Sequence, residues 1–410
     1  MKHINYITLL LVVVTFSFSV NYSFPQVTWF QKADFPINKD AAVSFSIGTK
    51  GYIGTGLGTS DLWEWDQLTN TWTQKAGMPG GRSHAVGFSI GNKGYIGTGI
   101  YGHGFLRNDF WEWDQSTDTW TQKARFPKQL AFAVGFAIGT KGYIVTGLDF
   151  GDDLPELWEW DQSTDTWTQK TSFPGGIRTN AVAFTIENKA YIGTGSDSIS
   201  RKDFWEWDQS TDTWARKSDF PGGVREGAVG FSIDNKGYIG LGYGVNGYKN
   251  DFWEWNQNTD TWTRLPDLPA APRLLSCGFS IKAKGYVGSG SNGGNENPAM
   301  SYPRDFWEFS PPDSTVSPLT SIDFKNINED IIIYPNPTQG EFTIDYNKPG
   351  EQTVKLKIFN TVGGCVYSQS HSDFNNHLHD LIDISREAKG IYILEIVGKK
   401  SIYTKKLVLN

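Results

Sequence analysis

Five tryptophans, Trp72, Trp120, Trp167, Trp214 and Trp262, fall 48, 47, 47 and 48 residues apart. A period of this length means one small structural unit copied along the chain, each copy burying its apolar face only against its neighbours. A nearly constant phrase precedes each tryptophan: Asp-Phe-Trp-Glu-Trp-Asp-Gln-Ser-Thr-Asp-Thr-Trp from Asp109 to Trp120 and from Asp203 to Trp214, with variants opening at Asp61, Glu156 and Asp251 and an altered copy at Asp305. Upstream of each lies Lys-Gly-Tyr-Ile-Gly-Thr-Gly, at Lys50 and Lys93 and in variants at Lys141, Lys189, Lys236 and Lys284, and before that an apolar run such as Ala85 to Ile90. Aromatic and β-branched residues between Gly, Asn, Asp and Thr turns make each unit four short strands, a to d.

The ends of the array show how it closes. The sixth unit supplies strands a to c and then meets Pro311-Pro312, whereas an orphan strand d stands near the start, Thr28 to Ala33, matching Thr119 to Ala124. The first strand is therefore expected to complete the last unit, which leaves the ring no open edge.

Four strands in about 47 residues fit a propeller blade. With the Tyr-Gly strand and the Asp-Gln-Ser-Thr-Asp-Thr-Trp turn, the segment from Val27 to Pro311 resembles the kelch repeats, although their paired glycines appear here as Gly54-Thr55-Gly56. The resemblance implies a six-bladed β-propeller. The Trp-Asp dipeptides, as at Trp65-Asp66, are shared with the Trp-Asp repeats, which lack the later Trp of strand d.

All 17 tryptophans occupy repeat positions: six on strand d, six at the first and five at the second Trp position of strand c, where Phe309 takes the sixth place. They read as blade-to-blade packing ahead of a sugar-stacking platform. The strand-c glutamates Glu64, Glu112, Glu159, Glu206, Glu254 and Glu308 recur once per blade and read as cross-strand partners of the strand-d lysines, such as Lys75 and Lys123, instead of catalytic acids.

Function is expected where the repeat is broken. The a-b and c-d turns are short and uniform on one face; on the other, the b-c loops run from four residues (Leu57 to Ser60) to fourteen (Ser291 to Arg304). On that face the d-a connections place a cation four positions before the second small apolar residue of strand a: Lys39, Arg82, Arg178, Arg225 and Arg273, with Leu130 in blade three. These five are the candidate ligand-binding residues, a positive funnel for carboxylate or sulfate groups. The resemblance adds that some kelch domains grip acidic peptides with such an Arg. The alternative is that each Arg bonds the carbonyls of its own loop. His84 and His103 lack a third ligand for a metal, and Asp149, Asp152 and Asp153 do not fit the calcium helix-loop-helix spacing, so no metal or cofactor is assigned.

The ends of the chain carry addresses. Met1-Lys2-His3 before the apolar run Ile7 to Val14 reads as a signal peptide over residues 1–23, too short to favour a membrane span. Cys277 and Cys365 are too few for a disulfide framework, and Cys277 reads as a buried small hydrophobe. The propeller is assigned to residues 24–310 and a Pro/Ser/Thr-containing linker to 311–330. About seven short strands follow over 331–410, suggesting a small Ig-like β-sandwich. With Tyr334-Pro335-Asn336-Pro337, Gly340, Phe359-Asn360, Lys389-Gly390-Ile391-Tyr392 and the terminal Lys405 to Leu409, this segment is similar to the type A sorting domain of the type IX secretion system of Bacteroidota. That resemblance implies passage across the outer membrane, the secretion machinery as a partner, and release or attachment at the cell surface.

A net charge of -7 without a block of one sign argues against nucleic acid as a partner. The leading expectation is a secreted or cell-surface binding or adhesion protein that recognises a glycan or protein, acidic ligands included, through the loop face. One alternative is an enzyme similar to a sialic acid mutarotase, with Glu226 beside Arg225 as acid/base. Another is a purely structural surface protein. A copper radical oxidase of the kelch type would need a Tyr/His ligand set that the propeller histidines do not supply.

Overall fold

The computed structural model describes residues 28–102, 104–149, 155–293, 300–311, 331–347, 353–360, 364–372, 377–398 and 402–410. The signal peptide, His103, Asp152, Asp153 and the linker lie outside the described residues. Two compact units divide the chain after Thr315.

The first unit is a six-bladed β-propeller of four-stranded antiparallel sheets. Blade one has strand a at Val43–Ile47, b at Lys50–Gly54, c at Leu62–Asp66 and d at Thr71–Lys75. In blade six, Cys277–Ile281, Lys284–Gly288 and Phe306–Ser310 are joined by Thr28–Gln31, with Trp29 opposite Phe309 and Thr28 opposite Ser310. The N-terminal strand thus shuts the ring.

The repeated residues form a set of contacts that each blade makes with the next. The Phe of strand a lies over the Gly of strand b in the following blade: a Cβ on Gly94 would sit 2.4 Å from the Phe45 ring, and one on Gly237 2.1 Å from Phe184. The position takes Gly or, in blade four, Ala190, because little room is left beneath the ring. Strand-b tyrosines pack on the second Trp of strand c in the next blade, Tyr52 with Trp113 and Tyr95 with Trp160 at 5.0 Å; at the last junction Phe309 meets Tyr238 at the same distance. Each indole at this position is fully buried and donates to the turn residue five positions on, as Trp113 does to Asp118 at 2.9 Å. That Asp118 oxygen also accepts from the Ala76 amide of the preceding blade. These five tryptophans are thereby accounted for as structure, in keeping with their regular spacing.

The strand-c glutamates are structural as well, although their cation comes chiefly from another strand. Glu64 lies opposite Thr73, accepts from Tyr52 Oη at 2.8 Å and pairs with Lys50 Nζ at 3.0 Å. Lys75 instead approaches Asp118 at 4.0 Å. Strand-d lysines do reach the glutamate in other blades, Lys32 to Glu308 at 2.9 Å and Lys217 to Glu206 at 3.6 Å. Strand b is favoured because Lys50 sits across from Asp66 and so meets two carboxylates at once.

The second unit is an Ig-like sandwich. Ile331–Tyr334, Glu341–Asn347 and His377–Asp383 form one sheet; Cys365–Ser372, Thr353–Asn360, Gly390–Gly398 and Ile402–Leu409 form the other. Alternating residues of both sheets, among them Phe342, Ile344, Leu356, Ile358, Leu394 and Leu407, make its core.

Candidate functional site

Strand register puts the d-a connections and the b-c loops at one end of the propeller: Val43 at the start of strand a faces Gly54 at the end of b, and Gly54 faces Leu62 at the start of c. The five predicted cations all lie at this end, but they are not an open funnel. Lys39, Arg82, Arg178, Arg225 and Arg273 are 0–1% exposed. Each Arg grips the aspartate that opens strand c of its own blade with both terminal nitrogens, Arg82 to Asp109 at 2.9 and 2.7 Å and Arg178 to Asp203 at 2.8 and 2.9 Å. Arg225 holds Asp251 and Arg273 holds Asp305 in the same way, and Lys39 meets Asp61. The first terminal nitrogen also donates to the residue after strand b, for example Thr98 O or Thr194 O at 2.9 Å.

The expectation of a positive ring for acidic ligands is therefore corrected: a guanidinium out of solvent, with both terminal nitrogens bonded to a carboxylate and carbonyls, is not open to a ligand. Burial pushes Asp203 up, yet the bonds from Arg178 and Trp205 more than reverse this and hold it below the usual aspartate value. What the sequence reading missed is the aspartate partner, some 25 residues away at the head of the strand-c phrase and outside the loop that carries the Arg. One signal pointed to it. Where blade three has Leu130 for Arg, it also has Glu156 for Asp, and Glu156 pairs instead with Lys128 at 3.0 Å.

These ion pairs hold the backbone that closes the axis. Two residues after each cation, and after Leu130 in blade three, stand Ala41, His84, Phe132, Asn180, Gly227 and Leu275, all with φ between 47° and 61°. Each amide donates to the carbonyl of the preceding blade's member, His84 to Ala41 at 3.0 Å, Phe132 to His84 at 3.1 Å and so on round to Ala41, which donates to Leu275 at 3.3 Å. Six hydrogen bonds form a closed loop around the channel. Non-glycine residues held in the left-handed region cost about 1–3 kcal/mol each, so such a ring persists only where its surroundings impose it.

A cavity of about 140 Å³ lies at this ring, half of its lining residues alanines and the rest including His84, Phe132, Asn180 and Ser276. His84 packs on Phe132 with ring centroids 4.1 Å apart, and burial lowers its pKa to about 4, so it is neutral at pH 7. Among the described residues no group of three or more His, Cys, Asp and Glu is placed to hold a metal. Cys277 is buried on strand a, its thiol pushed up to about 11 by burial.

Outside the axis the loop face differs in kind. The b-c loops form short hairpins, Ile100–Tyr101 with Phe105–Leu106 in blade two, Tyr243–Gly244 with Gly247–Tyr248 in blade five and Asn292–Gly293 with Met300–Ser301 in blade six. Leu57, Tyr101, Phe105, Ile199, Tyr243 and Val245 are exposed large apolar side chains on these loops, Phe105 at 68% and Val245 at 83%. Among the described residues of the propeller, Leu68 on a c-d turn and Phe30 on an outer strand are the other exposed large apolar side chains. Loop lengths had marked this face, but the apolar crown depends on side-chain exposure, which irregular loops do not announce.

With this geometry in view, the likenesses to known proteins fall on separate parts of the chain. Residues 332–410 match the family described as the secretion system C-terminal sorting domain. The solved structure of YjhT aligns with a TM-score of 0.61 over 69% of this chain and 98% of its own, at 16% identity, a likeness of fold. Ulvan lyase NLR42 of Nonlabens ulvanivorans is 30% identical over 95 residues, 23% of this chain and 17% of that protein, so the chain spans well under two thirds of this relative. The protein is thus a β-propeller carrying a type IX secretion sorting domain, delivered outside the cell or to its outer surface. No helix among the described residues is long and apolar enough to cross a membrane.

Proposed function

We propose that the propeller is a kelch-type binding or adhesion module that recognises a glycan or protein through its variable-loop face. The observation that carries this reading is the gathering of Leu57, Tyr101, Phe105, Ile199, Tyr243 and Val245 on the b-c loops. Exposed apolar groups concentrated on one face of a rigid scaffold mark an interaction surface. Aromatic members such as Tyr101, Phe105 and Tyr243 suit the C–H faces of sugars as well as protein side chains. The mutarotase alternative relied on the Arg ring to hold an anion, and with those guanidiniums occupied by Asp109, Asp203, Asp251 and Asp305 it loses that support.

Screening the full-length secreted protein against an array of glycans and matrix proteins tests the reading. The best ligand is expected to bind about tenfold more weakly, or about 1.4 kcal/mol, to the double variant Tyr243→Ser, Val245→Ser. Unchanged affinity in this variant and in Phe105→Ala would overturn it.

A further inference from the structure

Blades two and four carry the same device with opposite chemistry. In each, the b-c loop ends on an arginine two residues before the strand-c aspartate: Arg107 before Asp109, and Arg201 before Asp203. In blade four Arg201 is paired with Asp197, and the cleft beside it also contains Arg216, which meets Asp219 at 2.8 Å. Lys202 also reaches Asp219, at 3.8 Å, so each cation of that cleft already faces a carboxylate.

Asp197 stands two residues after Gly195; two residues after Gly99, the equivalent position of blade two, stands Tyr101. Here the Arg107 guanidinium lies 4.5 Å from the centroid of the Tyr101 ring, and Arg107 has no carboxylate partner among the described residues. Its neighbour Asn108 accepts from Arg125 at 3.2 Å, adding a second cation that no carboxylate among the described residues balances. An open cleft of about 390 Å³ is lined by Tyr101, Phe105, Leu106, Arg107 and Gln129 together with Gly104.

An arginine supported on an aromatic ring keeps the N–H donors at its edge, which match the two oxygens of a carboxylate or sulfate. Beside it, Phe105 leaves a flat apolar ring in solvent, which a peptide carboxylate alone would not cover and the C–H face of a pyranose would. The cleft is of the size that takes a small ligand group.

We propose that the blade-two cleft binds an anionic pyranose unit of a glycan, with its carboxylate or sulfate ester on Arg107, its C–H face on Phe105 and a hydroxyl within reach of Gln129. This deepens the loop-face reading and rests on it.

The test measures binding of the full-length secreted protein to immobilised polygalacturonate, dextran sulfate, unsubstituted dextran and poly-glutamate at low and high salt. At least one anionic glycan is expected to bind about tenfold or more tightly than dextran; which of the two does so tells carboxylate from sulfate. Arg107→Gln is expected to lose about tenfold of that affinity and most of its salt dependence, Phe105→Ala a similar factor with the salt dependence kept, and Arg201→Gln in blade four less than about twofold. Retained thermal melts confirm that each variant is folded. The proposal falls if Arg107→Gln binds like the parent, if poly-glutamate matches the anionic glycans, or if neither anionic glycan binds. Were it to fall while Tyr243→Ser, Val245→Ser still weakened an array ligand, the loop-face reading would survive without it.

Discussion

At one end of the propeller all six a-b turns pass through a left-handed residue, Gly48, Gly91, Gly139, Glu187, Asp234 and Lys282, with φ between 52° and 60°. At the other end the b-c connections share almost nothing with one another in length or composition. The uniformity nevertheless extends further into the variable end than the loops suggest. Gly56, Gly99, Gly147, Gly195, Gly242 and Gly290, just past strand b, each donate to the carbonyl of the next blade's Lys39, Arg82, Leu130, Arg178, Arg225 or Arg273 position. Up to these glycines the frame is fixed by bonds repeated in every blade, and only the loop tips beyond them vary. A residue that recurs per blade therefore serves the ring, while one that occurs once, such as Phe105 or Val245, is available to a ligand.

The largest effect that could break this contrast concerns the frame itself. Deleting residues 28–35 removes the strand paired with Phe306–Ser310 and the buried Phe35, and a propeller with an unpaired edge is expected to lose its cooperative thermal transition. A melt like that of the intact chain would show that the ring does not depend on closure. Next in size is Arg178→Met, which leaves Asp203 without its cation and should cost about 3–5 kcal/mol, lowering the melting temperature by on the order of 10 °C. If Arg178 instead served ligands, the variant would lose binding and keep its melt.

The same pairing fixes the pH dependence. Asp109, Asp203, Asp251 and Asp305 are each held below the ordinary value of 3.8, so their contribution to stability is complete above that pH and drains away as pH falls through the depressed values. In Arg178→Met that acid-side loss should be smaller by one group. The smallest effect sharpens the contrast from the other side: Leu68→Ser, on a c-d turn and 81% exposed in the parent, should change stability by no more than about 0.5 kcal/mol and ligand affinity not at all.

Much of the frame was legible because repetition states each structural requirement several times over. Trp72 to Trp262 gave the period, and the orphan strand at Trp29 gave the closure. The seven strands of the sandwich could be read from alternation, since Phe342, Ile344 and Tyr346 or Val354, Leu356 and Ile358 turn alternate side chains into one core. Pairing between distant residues was harder to read. Arg82 and Asp109 are each visible in the repeat, but nothing local says that one holds the other, and so a buried ion pair reads from the sequence as an exposed ring. The loop tips were legible only as irregularity: Tyr101 and Asp197 occupy corresponding places, and whether either faces an arginine depends on hairpin geometry that no repeat dictates.

The seam between Thr28 and Ser310 also orders events in time. Strand Thr28–Gln31 precedes the rest of the propeller in the chain, and its partner, Phe306–Ser310, comes behind it by nearly the whole length of the ring. Until that late segment arrives, the early strand has nowhere to pair, and bringing together ends so far apart in the chain slows the final step. The last blade can form only when both ends of the ring are present, so its closure joins the whole array.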